Sequence, residues 1–190
     1  MASAARKLAD YSDVLSAPAD HIAQVIDGDL VLQPRPRSRH VSGASELIDR
    51  IRRPFHRDGG GGPGGWFILP EPELHLGPEP QILVPDLAGW RRERMPKVPD
   101  VAFFTLAPDW VCEVLSPSTA VLDRGRKSEV YAREGVKHLW LFDVQDRFIE
   151  AFELENGRWM KLDVFAGEEE RIAPFDAVPL SIPKLLADLE

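Results

Sequence analysis

The amino-acid sequence predicts one α/β or α+β domain: a mixed β-sheet covered by one or two helices. Three observations carry this reading. Short β-forming runs recur along the chain, at 66–69, Leu74–Leu76, 81–90, 98–104, Trp110–Leu115 and His138–Asp143. Two segments with helical spacing lie among them. The length, 190 residues, suits a single well-formed core.

Taken in order, residues 1–20 read as an Ala-rich polar extension with at most a short helix, and residues 21–190 as the domain. The runs 21–26 and 29–33, joined by Asp27-Gly28, predict a β-hairpin with a tight turn. Pro34 and Pro36 close it. Ser38 is then read as an N-cap, and Val41, Ala44, Leu47, Ile48 and Ile51 mark an amphipathic helix stopped by Pro54. The tract 59–65 is a Gly-rich connector, not a phosphate loop, because no Lys-Ser or Lys-Thr follows. After the central strands, 120–134 predicts a second helix ended by Gly135 at C′. The segments 147–154 and 158–164 form a hairpin through Asn156-Gly157, and Ile182, Leu185 and Leu186 mark a short terminal helix. There is no internal repeat.

Composition narrows the class. With 44% hydrophobic and 28% charged residues the chain is ordinary for a soluble protein. No apolar run approaches the ~18 residues of a membrane span, and the N-terminus has no signal-peptide pattern. The single Cys112 excludes a disulfide framework and fits a reducing cytoplasm; its place in a buried-looking strand makes it a structural thiol before a nucleophile. A net charge of −8 argues against an extended nucleic-acid surface. The charge is uneven, however. Residues 35–57 hold seven Arg against two acids, and 91–97 four basic residues against one acid. Residues 143–190 carry twelve acids against five basic residues, nearly the whole imbalance.

The chemistry resides in Trp110-Val-Cys-Glu-Val-Leu-Ser-Pro-Ser-Thr119 and in Asp123-Arg-Gly-Arg-Lys127. Glu113 is a carboxylate within a run of β-formers, and a buried acid is costly unless paired or bound to a metal. Three Pro-Asp pairs, at Asp86, Asp100 and Asp109, offer a partner acid. Asp109 lies only four residues before Glu113 in one extended segment, so about 13 Å separates them and they cannot share an ion. Asp86 and Asp100 could each face Glu113 from a neighbouring strand; Asp86 is preferred because it follows the longer apolar run. Two such acids suit a hard cation such as Mg²⁺, with water and phosphate completing the coordination. Lys127, with Tyr131 one turn later on the same helix face, could orient water or offset charge on phosphorus.

These residues, with Pro85-Asp86, Gly135-Val136 and Leu139-Trp-Leu-Phe-Asp143, resemble the Uma-type family of bacterial restriction-endonuclease-like proteins, within the PD-(D/E)XK nuclease superfamily. The resemblance covers roughly residues 20–160. It implies a restriction-endonuclease-like fold, Asp86 and Glu113 as metal-binding carboxylates, and the Val114 carbonyl as a further ligand. The strict superfamily motif places lysine two residues after the acid, where this chain has Leu115; the resemblance puts the substitute at Lys127. His40 and Glu46 match helix positions where relatives present a polar group, and Glu73 is a further acid at the rim. The function implied is Mg²⁺-dependent hydrolysis of DNA, with Mn²⁺ as an alternative ion and Asp86, Glu113 and Lys127 as the catalytic set. The alternative is a binding or accessory protein on the same fold without catalysis. Arg50, Arg52 and Arg53 are expected to contact backbone phosphates. A homodimer is expected for cutting two strands, with the two hairpins and exposed Trp66 and Trp90 at its interface.

Overall fold

A computed structural model of the chain describes residues 7–56, 62–79 and 81–189. Residues 59–61 of the glycine tract, Arg57, and residues 1–6 of the N-terminal extension lie outside the described residues.

The described residues form two sheets. The larger has six strands in the order β10-β9-β8-β7-β6-β3, and the smaller four in the order β2-β1-β5-β4. In the larger sheet, β6 (Leu87–Arg91) runs antiparallel to its neighbours β3 (Trp66–Pro70) and β7 (Trp110–Leu115), and β9 (Phe148–Glu155) antiparallel to its neighbours β8 (His138–Asp143) and β10 (Arg158–Phe165). Among the described strands, β7 and β8 are the one pair of parallel neighbours. Parallel neighbours need a crossover, here built from α3 (Ala120–Leu122), a π-type turn (Asp123–Lys127) and α4 (Ser128–Arg133). The smaller sheet joins the β1–β2 hairpin (His21–Ile26, Asp29–Pro34) to β4 (Leu74–Leu76) and β5 (Gln81–Leu83). The turn is Asp27-Gly28 as expected, with φ of 51° and 75°.

Strand alternation divides the core. Trp110, Cys112 and Val114 of β7, with Trp140 and Phe142 of β8, pack against Leu47, Ile51 and Phe55 of α2 (Ser38–Phe55). Phe175, Ile182 and Leu185 close the same face from the C-terminal segment, which includes α5 (Ile182–Leu185). Val111 and Leu115, the alternate positions, pack with Leu139, Leu141, Val130, Tyr131 and the small sheet's Ile26, Leu76 and Leu83. The large sheet is therefore the middle layer. Glu113 shares the face of Val111 and Leu115, toward the crossover.

Several expectations need correction. The run 81–90 is two strands, not one: β5 belongs to the small sheet and β6 to the large. Val84, Pro85 and Asp86 cross between them, and Pro85 has no N–H to give a ladder. No strand forms over 98–104; Phe104 makes only an isolated bridge to Leu74, in a stretch that contains Pro99 and is flanked by Pro96 and Pro108. Trp66 and Trp90 are buried rather than exposed, at 1% and 0%, and cannot face a partner. Ser38 is the first helical residue of α2, not its cap; Arg37 holds the cap position without a side-chain bond, and the helix runs one residue past Pro54. The second helix is broken at Gly125 (φ −101°, ψ −106°). Within the extension, α1 (Tyr11–Leu15) has a capping box at Asp10 and packs beside β1, with the Ala9 N–H donating to Gly28. Among the described residues no helix is long and apolar enough to cross a membrane.

Candidate active site

Asp86 sits at the point where the chain leaves one sheet for the other. The β6–β7 ladder ends at Leu87 opposite Cys112, so one step further places Asp86 opposite Glu113. Its side chain takes over where the ladder stops: Oδ2 accepts the Val114 N–H at 2.7 Å. Oδ1 lies 2.6 Å from His40 Nε2, bringing the first helix onto the acid. The crossing segment is pinned from the small sheet, where Gln24 Oε1 accepts the Val84 N–H at 2.9 Å.

Glu113 meets its partners from the broken helix. Lys127 Nζ donates to Glu113 Oε2 and the Tyr131 hydroxyl to Oε1, both at 2.6 Å. The kink at Gly125 lies just before Lys127, and the four-residue spacing keeps Lys127 and Tyr131 on one face. Lys127 also lies 3.3 Å from Asp123 Oδ1 in an ion pair, though that oxygen has no hydrogen-bond partner. Asp123, Glu113 and Lys127 are 2%, 1% and 2% exposed, so all three charges are out of solvent.

Burial pushes the Glu113 carboxyl up to about 8; Lys127 pulls it down, and Asp123 and Asp86 push it up again. Burial opposes the Lys127 ammonium, but the surrounding carboxylates of Glu113, Asp123 and Asp86 outweigh it and hold the lysine protonated above its usual range. The Tyr131 hydroxyl and the Cys112 thiol are both driven well up, first by burial and then by the neighbouring acids. Cys112 is therefore an inert structural thiol.

Asp86, Glu113, Asp123, Lys127 and His40 all line one cleft of about 570 Å³. Its rim is the β2–α2 connection on one side and the Ser116–Thr119 loop on the other. The three catalytic candidates and two supporting ones, His40 and Tyr131, thus gather around one pair of acids. Glu46 and Glu73 do not join them. Glu46 is half-buried along α2, and Glu73 bonds His75 Nε2 at 2.7 Å beside Tyr11 and Phe103. Asp100 is exposed and outside the cleft. Asp109 is structural: its carboxylate accepts Arg94 Nη1 and the Arg91 N–H.

The sequence reading places Asp123 in the motif but gives it no role in the site, although Asp123 and Lys127 are four apart on a helix. It passes over Gln24, which carries no signal, because Gln24 acts through Val84, sixty positions away.

Three carboxylates against one lysine leave a surplus of negative charge, which suits a hard divalent cation. Asp86 and Glu113 could hold it. Among the described residues no group of three His, Cys, Asp or Glu is placed to chelate an ion unaided, so water or phosphate oxygens would complete a two-carboxylate site.

The mixed sheet with its helical crossover, and an acid pair at the strand break, place the protein in the restriction-endonuclease-like class of fold. The chain belongs to the Uma2 family, described as "Putative restriction endonuclease", whose model matches residues 8–183. A solved structure, "a putative nuclease belonging to DUF820 from Anabaena variabilis ATCC 29413", has the same fold at a TM-score of 0.69. It is 21% identical, and the match covers 93% of this chain and 96% of that one. No curated protein matches the chain.

Proposed function

We propose that the protein is a Mg²⁺-dependent endonuclease hydrolysing phosphodiester bonds in DNA. The observation that carries the reading is the convergence of Asp86, Glu113 and Lys127 in one cleft from three separate elements. Asp86 and Glu113 are the residues that would hold the ion. When bound, a divalent cation supplies Lewis acidity at phosphorus and lowers the pKa of an attacking water. The remaining work falls to the chain. Lys127, protonated and out of solvent, offsets charge that develops on the phosphoryl oxygens. Its charge state makes it an electrostatic partner rather than a base. Tyr131 and Lys127 fix the two oxygens of Glu113, while His40 and the Val114 N–H fix those of Asp86, so neither acid need reorganise. Lysine's absence from position 115 therefore removes no chemistry: the crossover helix returns one to the same acid.

Glu113→Gln and Asp86→Asn should each abolish Mg²⁺-dependent nicking of plasmid DNA while far-UV circular dichroism stays unchanged. Full activity in either variant would sink the assignment. Retained DNA binding with no cleavage in the wild-type protein under any divalent ion would favour the non-catalytic accessory role. A homodimer would let two centres act on two strands. The edge strand β10, with Met160, Leu162 and Val164 at 49%, 40% and 45% exposure, is the surface that supports it, and sedimentation equilibrium tests it.

A further inference from the structure

We infer that Arg35, Arg37 and Arg39 form the phosphate-binding rim of this cleft, and that a DNA strand runs along them by its backbone. The inference rests on the nuclease reading and adds the residues that hold the substrate. All three line the cleft and are exposed. Among the described residues no ion pair engages any of them, and Arg35 Nη2 reaches the Ala19 carbonyl at 3.4 Å. Seven of the other fourteen arginines are already neutralised or covered. Arg53 pairs with Asp49, Arg94 with Asp109, Arg124 with Glu150, Arg126 with Asp29 and Arg133 with Asp27. Arg91 and Arg92 lie over the rings of Trp66 and Phe67. In a chain of net charge −8, three uncompensated cations beside the acid centre call for an anionic occupant.

Local geometry suits a polyanion. Arg35 precedes Pro36, which favours extended backbone, and Arg37 is extended at φ −79°, ψ 163°. At about 3.1 Å per residue in this polyproline-type backbone, Arg35 and Arg37 lie roughly 6 Å apart along the chain, of the order of the step between neighbouring phosphates on an extended strand, and Arg39 follows in the first turn of α2. The first turn of α2 follows directly and has no side-chain cap, which leaves N–H groups beside the same anion. The cleft offers no stacking platform for bases. Among the described residues that line it, the one aromatic ring is that of His40, already held by Asp86. Recognition at this rim is accordingly of phosphate rather than base.

The arginines at the far end of the helix are the wrong ones for this task. Arg50 lies eleven residues beyond Arg39, about 17 Å along α2. With Arg53 it borders a second groove that also carries Glu168 and Glu169.

The test is fluorescence anisotropy with labelled single-stranded and duplex DNA, in EDTA and again in Ca²⁺, over a salt series. The Arg35→Gln/Arg37→Gln/Arg39→Gln variant should weaken binding by about tenfold or more at low salt. It should also reduce the slope of log affinity against log salt by about 2 to 3, whatever the sequence. The Arg50→Gln/Arg52→Gln/Arg53→Gln variant should bind like wild type. Should the triple variant lose its circular dichroism signature, Arg37→Gln alone should still lower the slope by about 1. Equal loss in both sets, or loss only in the second, overturns the inference and leaves the nuclease reading intact. Tighter binding of an RNA of the same sequence overturns DNA as the occupant. Failure of the wild-type protein to bind any nucleic acid in either buffer overturns the nuclease reading itself.

Discussion

Lys127 donates to Glu113 at 2.6 Å with both side chains 2% exposed, although the two residues lie on different elements fourteen positions apart. A buried ion pair of this kind costs more to break than it contributes when intact, because the survivor is left charged and desolvated. Lys127→Met should therefore destabilise the fold by about 3 kcal/mol at alkaline pH. The loss should shrink below pH 8, where Glu113 can take up a proton instead. Urea unfolding at both ends of that range measures it, and adding Glu113→Gln to the same chain should return part of the loss. An equal loss at every pH would contradict the pairing.

The Glu113 carboxyl also sets the sign of a stability–pH slope. Its value is about 8 in the fold, raised first by burial, against 4.5 for the ordinary group. Between the two, the folded protein holds a proton that the unfolded chain has released, so stability in metal-free buffer falls as pH rises through that interval. Unfolding midpoints of wild type and Glu113→Gln, compared across the interval, isolate the effect. The wild-type curve should fall more steeply.

Cation binding should show the opposite trend. An ion held by Glu113 must displace that proton, so affinity for Mg²⁺ or Mn²⁺ should tighten as pH rises toward 8, with proton release. Titration calorimetry in two buffers of different ionisation enthalpy reads the proton count directly. Binding without proton release near neutral pH would exclude Glu113 as a ligand.

His40 works through Asp86, so its loss should register first in the ion rather than in the fold. His40→Ala should weaken cation affinity by about 10- to 100-fold, the usual effect of removing a partner that orients a ligand. The ring is mostly buried, at 13% side-chain exposure, so the thermal midpoint is measured alongside to separate lost affinity from lost fold. Unchanged affinity would reduce the contact to packing.

The seat of α2 can be probed separately. A Cβ on Gly43 would come within 2.6 Å of Val144 Cγ2, and Val144 itself lines the cleft. Gly43→Ala should destabilise by about 1–3 kcal/mol from overpacking, less the roughly 1 kcal/mol that alanine returns in helix propensity. A rise in thermal midpoint would mean that the helix can shift at no cost.

Much of this was legible in the amino-acid sequence, for local reasons. Trp110–Leu115 and His138–Asp143 are dense runs of β-formers, the first broken only by Glu113, and their ends fall where the sequence places them. Asp27-Gly28 and Asn156-Gly157 announce their hairpins because both residues adopt positive φ. The 81–90 run was misleading, since apolarity does not reveal that one half serves each of two sheets. The 98–104 run reads as strand only while Pro99 within it and the prolines on either side are discounted.

The sequence by itself determined the element types, the acid in the central strand and the lysine on the helix after it. Those depend on dihedral preference and side-chain alternation, which act within a few residues. Tertiary structure alone decided that Asp86, not Asp100, stands opposite Glu113, that Trp66 and Trp90 are interior, and that Arg35, Arg37 and Arg39 rather than the distal arginines flank the acids. Each of these is a contact between elements distant in the chain, set by strand order, the crossover and the kink at Gly125. Such contacts have no period in the sequence, because they arise from how faces are buried against one another rather than from how any one segment is built.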